Sequence, residues 1–216
     1  MLPARQRSTD GIAAVTSQRR FVLVAALLGG VVILAAGALL GFGLRETPKG
    51  AAGTLLASAI GGPFRLVDQN GKTVTDADLK GKWSLIYFGY THCPDACPTT
   101  LNEIAIALDD LGPKRDAVRP VFITVDPERD TPEVLKSYVT SFDAPILALT
   151  GTPEAVAQAA KDFRVYYAKH PEPGGDYSMD HSSVIYVMDP EGRFTATFTP
   201  ESSPEDIAAR LKKLLA

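Results

Sequence analysis

Hydrophobic positions dominate one stretch near the start of the chain, where residues 21–44 include no Asp, Glu, Lys or Arg. About 20 apolar residues in a helix are enough to cross the hydrocarbon core of a bilayer, which is roughly 30 Å thick. A secretory signal has a shorter apolar core of about 7–15 residues, followed by a cleavage site. The length of the stretch therefore predicts an uncleaved transmembrane helix at residues 21–44.

The charges around this predicted span indicate its orientation. Residues 1–20 contain four arginines and only one acid. Segments rich in Lys and Arg stay on the cytoplasmic side of a membrane, so residues 1–20 are predicted to be a cytoplasmic tail. Residues 45–62 are rich in Gly, Ala, Pro, Thr and Ser, a composition typical of a linker. We expect a single-pass protein of the bacterial inner membrane whose C-terminal part faces the periplasm.

The remaining residues, 63–216, are long enough for one domain with its own core. Two continuous apolar runs, at residues 83–90 and 118–125, are typical of strands buried on both faces of a sheet. An Asn70-Gly71 pair lies between two short β-type segments, and Gly192 ends a similar turn near the C-terminus. Both turns predict β-hairpins.

Helical patterns alternate with these strands. An apolar stripe covers residues 99–111, and Thr-Pro-Glu starts predict helices over residues 131–142 and 152–163. A last amphipathic helix is predicted over residues 204–215. Strands that alternate with helices, followed by a hairpin and a closing helix, predict an α/β domain in which a central mixed sheet has helices on both faces. This order of elements fits a thioredoxin-like fold for residues 63–216.

The chain has only two cysteines, Cys93 and Cys97. With three residues between them, one metal ion or one disulfide can join the two thiols. Pro94 and Pro98 predict that Cys93 lies in a loop and that Cys97 lies at the entrance of a helix. The free N–H groups and the dipole at a helix N-terminus stabilise a thiolate, so Cys97 is predicted to have a reactive or metal-binding environment.

A metal site at this pair needs a third donor, and the chain offers His92, His170 and His181. His181 follows a polar segment that we interpret as a loop leading into a buried strand, so it is the best placed of the three. Two thiolates and one imidazole suit Cu(I), and one further oxygen or nitrogen ligand would suit Cu(II). A closed structural zinc site takes four Cys or His ligands, so in this chain it would need two of the three histidines as well as both cysteines. We interpret His92 and His170 as solvated surface residues.

Other interpretations of the same residues stay open at this point. The pair is also compatible with a structural disulfide, or with a thiol–disulfide oxidoreductase in which Cys93 attacks and Cys97 resolves. Met179 is a further soft donor near His181 in sequence. The acidic segment 126–130 is explained without function by pairing with Arg129 and by capping of the next helix. A net charge of −3 without a basic cluster gives no indication of a nucleic-acid partner, and none is expected.

Three segments together resemble the Sco/SenC family of membrane-anchored copper proteins. They are Thr-His-Cys-Pro-Asp-Ala-Cys-Pro at residues 91–98, Val-Asp-Pro-Glu-Arg-Asp-Thr-Pro at residues 125–132 and Asp-His-Ser at residues 180–182. They occur in the family's order and follow one predicted span. The first and third segments are specific to the family, whereas related thioredoxin-like peroxidases share the second.

The resemblance implies a thioredoxin-like domain that binds one copper ion through Cys93, Cys97 and His181. It also implies that Asp126 and Asp130 lie near the metal or a partner surface. Members of the family deliver copper to the two-copper site of cytochrome c oxidase subunit II, or keep its cysteines reduced. A second periplasmic copper chaperone or a thiol reductase is the other partner that such a protein implies.

The resulting hypothesis is a copper metallochaperone for oxidase assembly rather than an enzyme. This chain has a three-residue spacer between its cysteines and no proline just before Val184, where thioredoxins have a cis-proline that faces the thiols. Both departures favour metal binding over general disulfide exchange. A thioredoxin-type oxidoreductase and a copper or redox sensor remain the alternatives, and the residues leave open whether the ion is Cu(I) or Cu(II).

Overall fold

The structure is a computed structural model that describes residues 60–216. The predicted tail and the predicted span at residues 21–44 lie outside these residues, as does nearly all of the predicted linker. Within residues 60–216 the structure contains no helix with the length and apolar character needed to span a bilayer.

A seven-stranded mixed sheet forms the centre of the domain, in the strand order β2-β1-β5-β4-β3-β8-β9. Two further strands, β6 and β7, form a separate hairpin. The strands are β1 Arg65–Asp68, β2 Thr73–Thr75, β3 Trp83–Gly89, β4 Val118–Thr124, β5 Leu147–Thr150, β6 Tyr167–Pro171, β7 Tyr177–His181, β8 Ile185–Met188 and β9 Phe194–Phe198. The α-helices are α1 Ala96–Asp109, α2 Pro132–Val139, α3 Pro153–Asp162 and α4 Pro204–Leu214, and short 3-10 helices cover Asp76–Leu79 and Gly112–Ala117.

Strand β3 lies inside the sheet, parallel to β4 on one side and antiparallel to β8 on the other. Its side chains alternate between the two faces: the Tyr87 hydroxyl lies 3.8 Å from the Cys97 thiol of α1, whereas the Phe88 ring packs on Phe163 at the end of α3. Helix α2 contributes Tyr138 to the same face as α1, against Phe122. Helices therefore cover both faces of a mixed sheet, which confirms the predicted thioredoxin-like α/β architecture.

Local sequence signals explain how the helices begin. The side chains of Thr131 and Thr152 accept hydrogen bonds from N–H groups of the first turns of α2 and α3, and a proline occupies the first helical position of each. Helix α1 begins at Ala96 rather than at residue 99. Cys97 is consequently its second residue, which confirms the predicted place of Cys97 at the entrance of a helix.

One local prediction was wrong. The sequence predicts a polar loop before His181, but the segment is strand β7, which pairs with β6 in the register Tyr167↔His181 to Pro171↔Tyr177. Alternate residues of β7 face the body of the domain, and Met179 is buried there. The period-2 alternation of a strand explains how a segment of polar composition has one packed face.

Candidate metal centre

The loop between β3 and α1 holds the first thiol. The Cys93 N–H donates to the Tyr90 carbonyl over 3.3 Å, and the Cys93 side chain is half-buried. Cys97 is fully buried on the sheet, and its N–H points at the Cys93 sulfur over 3.4 Å. A first-turn amide of α1 therefore stabilises charge on Cys93.

Gly89 makes room for the buried thiol. A Cβ atom at this position would lie 2.8 Å from the Cys97 sulfur and 2.8 Å from the Phe122 ring, closer than such contacts occur. Only glycine allows Cys97 to pack directly behind the end of β3. Sequence reasoning did not identify Gly89, although a glycine that ends an apolar strand just before a cysteine motif is the signal that points to it.

His181 supplies the imidazole from the end of β7. Its Nε2 atom lies 3.3 Å from the Cys97 sulfur, and its Nδ1 atom lies 3.3 Å from the Ser182 carbonyl. A proton on Nδ1 that is donated to this carbonyl leaves the Nε2 lone pair directed at the thiols. The rings of Tyr87 and Tyr90 flank the imidazole edge-on, at centroid distances of 5.9 and 5.8 Å.

The structure thus brings the three predicted donors together. One ligand atom from each of Cys93, Cys97 and His181 lies within 4.8 Å of the others. Among residues 60–216 this is the single group of three or more His, Cys, Asp or Glu side chains arranged for a metal ion. Soft sulfur donors with one imidazole fit copper, and the described residues add no fourth Cys or His for a closed zinc site.

The two thiols differ in their acidity. The pKa of Cys93 is lowered to about 5; the hydrogen bond from Cys97 is the largest cause, and backbone N–H groups and His181 contribute to the same shift. Proton donation to Cys93, followed by burial, raises the pKa of Cys97. The thiolate therefore lies on Cys93 and not on Cys97, where the helix N-terminus predicts it, because the first-turn amide of α1 donates to the Cys93 sulfur. A metal that binds both sulfurs releases the proton that remains on Cys97.

Two tyrosines at the site were not identified from the sequence. Tyr87 is fully buried, and its hydroxyl donates to the Cys97 sulfur over 3.8 Å. The Tyr138 hydroxyl is also buried and has no hydrogen-bond partner among the described residues. Burial raises the pKa of both tyrosines, so both hydroxyls stay protonated, and that of Tyr87 donates to Cys97.

The two acids singled out by the resemblance are bound by other protein groups. Asp130 is fully buried and accepts hydrogen bonds from the Thr91 N–H (3.0 Å), the Thr91 hydroxyl (2.6 Å) and the Thr124 hydroxyl (2.6 Å). Burial raises the pKa of Asp130. Asp126 accepts from the Tyr177 hydroxyl over 2.8 Å and pairs with Arg129, which confirms the predicted pairing. Asp130 therefore holds the cysteine loop, and Asp126 holds the hairpin that carries His181.

The other soft or basic side chains lie outside the donor group. His92 is exposed and contacts the Thr91 hydroxyl. His170 pairs with Asp180 over 2.8 Å on the outer part of the hairpin. Met179 is buried in the core.

Comparison with known proteins places this geometry in a family context. The protein SCO1 homolog 1, mitochondrial, of Arabidopsis thaliana is 49% identical over 138 residues, which are 63% of this chain and 41% of that protein. A SCO2-like protein of Rickettsia prowazekii is 44% identical over 155 residues, 71% of this chain and 76% of that protein. This chain therefore matches less than half of the length of the plant protein.

Solved structures agree with the fold. Bradyrhizobium japonicum ScoI with copper bound superimposes with a TM-score of 0.68 at 54% identity, over 72% of this chain and 99% of that one. BsSco, described as a Sco-family cytochrome c oxidase assembly protein with a disulfide switch, superimposes with a TM-score of 0.59 at 28% identity, over 73% and 94% of the two chains. The SCO1/SenC family model matches residues 52–216, and on this match the chain belongs to the SCO1/SenC family.

Proposed function

We propose that the protein is a copper metallochaperone that holds one copper ion between Cys93, Cys97 and His181. The observation that carries the proposal is the convergence of two thiols and one imidazole within 4.8 Å. One donor, Cys97, is fully buried, while Cys93 and His181 are partly exposed. Copper bound in ScoI of Bradyrhizobium japonicum, which is 54% identical, supports the choice of metal.

The proposed recipient is the two-copper site of cytochrome c oxidase subunit II. The link of BsSco to cytochrome c oxidase assembly supports this choice. Because Cys93 and His181 are partly exposed and Cys97 is buried, incoming thiolates of a recipient replace the two more accessible ligands first. Copper then leaves by stepwise ligand exchange, in which the Cys97 contact breaks last.

Copper titration of the purified full chain tests the ligand set. We expect the parent to bind one ion, and His181→Ala to bind at least about 10-fold more weakly, since even partners outside the ligand shell change metal affinity by 10–100-fold. His170→Ala is the matched control, because this histidine pairs with Asp180 away from the thiols. Equal affinity of His181→Ala and the parent would rule out the three-ligand site.

The lowered pKa of Cys93 and the raised pKa of Cys97 favour a second function, thiol–disulfide exchange. The Cys93 thiolate attacks a substrate disulfide, forms a mixed disulfide and expels one substrate thiolate, which takes a proton from solvent. Cys97 then loses its proton and attacks the Cys93 sulfur, so the second substrate thiolate leaves. Two electrons pass to the substrate, and an intramolecular Cys93–Cys97 disulfide remains. The disulfide switch of BsSco supports this alternative, and a sensor role would use the same chemistry with another partner.

Turnover in the absence of metal separates the two functions. The reduced, metal-free chain is mixed with oxidised recipient cysteines and a regenerating reductant, and thiol release is followed over time. The chaperone proposal predicts copper transfer with little metal-free turnover. Multiple turnovers without copper, together with a trapped mixed disulfide in Cys97→Ala, favour the oxidoreductase.

We also propose the membrane topology predicted from the sequence: a cytoplasmic tail at residues 1–20, a span at 21–44, a linker at 45–62 and a periplasmic domain at 63–216. A C-terminal epitope tag tests it. Protease added to spheroplasts of a bacterial host should remove the tag without lysis. Protection of the tag until the cells are lysed contradicts the orientation.

A further inference from the structure

His181 belongs to the β6–β7 hairpin, which is not hydrogen-bonded into the main sheet. Its distance from Cys97 therefore depends on what fastens the hairpin to the body of the domain. We propose that Arg129 and Tyr177 are positioning residues that fasten the hairpin and so hold His181 against the thiols. The inference rests on the proposed function, because it concerns the same site.

The Tyr177 ring is the centre of the attachment. It lies between two cations: the guanidinium carbon of Arg129 and the ammonium nitrogen of Lys169 are each 3.7 Å from its centroid. Arg129 comes from the loop after β4, whereas Lys169 comes from β6. Cation–π contacts of this kind strengthen when the cation is withdrawn from water, and the Arg129 side chain is only 16% exposed.

Hydrogen bonds also link Asp126, Arg129 and Tyr177 to one another. Arg129 Nε donates to Asp126, and Nη1 donates to the Tyr177 carbonyl over 2.9 Å and to Asp176 over 3.1 Å. The Tyr177 hydroxyl donates to the other Asp126 oxygen over 2.8 Å. Asp126, Arg129 and Tyr177 therefore each contact the other two, so both the backbone and the side chain of Tyr177 are fixed.

This attachment reaches His181 along two paths. Tyr177 and His181 are four residues apart on β7 and lie on the same face of the strand. Arg129 also lies 5.9 Å from the Tyr90 ring, and the same ring packs edge-on against His181. A shift of Arg129 therefore moves both the strand that carries the imidazole and one of the two rings that flank it.

One atom of the Arg129 side chain is unfavourable for the stability of the fold. Its Nη2 atom is buried without a hydrogen-bond partner among the described residues, and a buried polar group that lacks a partner lowers stability. A planar guanidinium does, however, fix three acceptors and a ring in one geometry. The contacts of Arg129 therefore favour a role in positioning the hairpin over a role in stabilising the fold.

The first test needs no copper. Amide hydrogen exchange and the His181 ring signals are measured by NMR on the full, metal-free chain for the parent, Arg129→Met and Tyr177→Leu. We expect β7 amides to exchange at least about 10-fold faster in both variants and the His181 ring signals to shift, while β3 and β4 are unchanged. Arg193→Met is the control, because Arg193 also forms two ion pairs but does so at the β8–β9 turn.

The second test couples Arg129 to His181 through copper affinity. We expect Arg129→Met to weaken copper binding by roughly 10–100-fold, the range seen for partners that orient a metal ligand. In a His181→Ala background the same change should have almost no further effect, since there is no imidazole left to position. An equal loss in both backgrounds, or unchanged His181 signals in Arg129→Met, overturns the proposal.

The two proposals fail in different ways. If His181→Ala binds copper as tightly as the parent, the ligand set is wrong, and the positioning role is then decided by the metal-free exchange and ring signals. If Arg129→Met does not fold, Tyr177→Phe replaces it, because this variant keeps the ring between the cations and loses only the bond to Asp126. Intermediate exchange of β7 in Tyr177→Phe supports the proposal, and parent-like exchange contradicts it.

Discussion

At the scale of single residues, Gly89 matters to the site because it has no side chain and so leaves room for the Cys97 thiol. A Cβ atom on Gly89 would meet the Cys97 sulfur at 2.8 Å, so Gly89→Ala must displace either the thiol or the strand. We expect a loss of about 1–3 kcal/mol in the free energy of unfolding, the usual cost of overpacking, and weaker copper binding. Denaturant unfolding and copper titration measure the two effects.

Gly151→Ala is the matched control for this substitution. A Cβ atom there meets the end of the flexible Leu66 side chain at 3.1 Å, and the atoms nearest to it belong to Leu66 and Ala155 rather than to a cysteine. Copper affinity that falls equally in Gly89→Ala and Gly151→Ala would show that the clash with Cys97 is not the cause.

The acidity of Cys93 predicts how its alkylation depends on pH. Its pKa is lowered to about 5, so the thiolate is present above that pH and lost as the pH falls through it. Iodoacetamide should therefore modify Cys93 of the reduced, metal-free chain at a nearly constant rate between pH 6 and 8, as measured by peptide mass spectrometry. An unperturbed thiol, with a pKa of about 8.5, would speed up about tenfold per pH unit there.

Cys97→Ala checks the cause of this shift. Because the hydrogen bond from the Cys97 side chain is the largest cause, its removal should raise the pKa of Cys93 and slow alkylation at pH 6. A parent-like profile in Cys97→Ala would assign the shift to the backbone amides of α1 instead.

The sequence allowed the donors themselves to be predicted, because few residue types bind soft metals and this chain has few of them. Gly89, Tyr87 and Arg129 could not be predicted in the same way. Glycine, tyrosine and arginine have many structural uses, and their roles here depend on distances between segments far apart in sequence. Asp126 illustrates how far the sequence alone can predict contacts. Its pairing with Arg129 follows from their local spacing, whereas its hydrogen bond with Tyr177 joins residues 51 positions apart.

At the scale of elements, the loop after β4 supports the cysteine loop through Asp130. Asp130→Ala leaves the Thr91 N–H, the Thr91 hydroxyl and the Thr124 hydroxyl without their acceptor. Each buried group left unpaired costs about 1–3 kcal/mol, and relaxation toward water reduces the total, so we expect a loss of about 3 kcal/mol. Chemical denaturation measures it.

The control for this change is Asp143→Ala, which removes an exposed acid and should change stability by less than about 0.5 kcal/mol. Faster exchange of the Thr91 and Cys93 amides in Asp130→Ala, without a change at Thr152, would locate the effect in the cysteine loop. A loss of protection spread evenly over the domain contradicts this support role.

The elements differ in how well their sequences predict them. The Thr-Pro starts of α2 and α3 combine a side-chain cap with a residue whose φ angle suits the first turn, so local chemistry suffices. Strand β7 has polar residues and only one packed face, and its partner strand is equally polar. Its alternation of Tyr177, Met179 and His181 is visible in the sequence, but the polar composition of the segment favours a loop more strongly.

At the scale of the whole molecule, strand directions explain how Cys97 meets a histidine 84 residues away. Strands β3 and β4 are parallel, so the cysteine loop and the loop after β4 leave the same edge of the sheet. Strand β8 is antiparallel to β3, with Ile185 opposite Tyr87, so the residues just before β8 arrive at that edge. The alternation of strands and helices predicts this meeting, whereas the exact distance depends on the hairpin and its contacts.

Copper should therefore act as a cross-link between the main body of the domain and the β6–β7 hairpin, which is not hydrogen-bonded into the main sheet. In the proposed site it bridges the start of α1 and the end of β7. A ligand that binds only the folded state, present at about 1,000 times its Kd, adds about 4 kcal/mol to stability. We expect a rise of several degrees in Tm with copper, and the largest gain in amide protection in β7 and the first turn of α1. His181→Ala should keep protection near the thiols and lose it in β7, because the metal then no longer reaches the hairpin. Equal protection of β7 by copper in the parent and in His181→Ala would mean that the ion does not join the two segments.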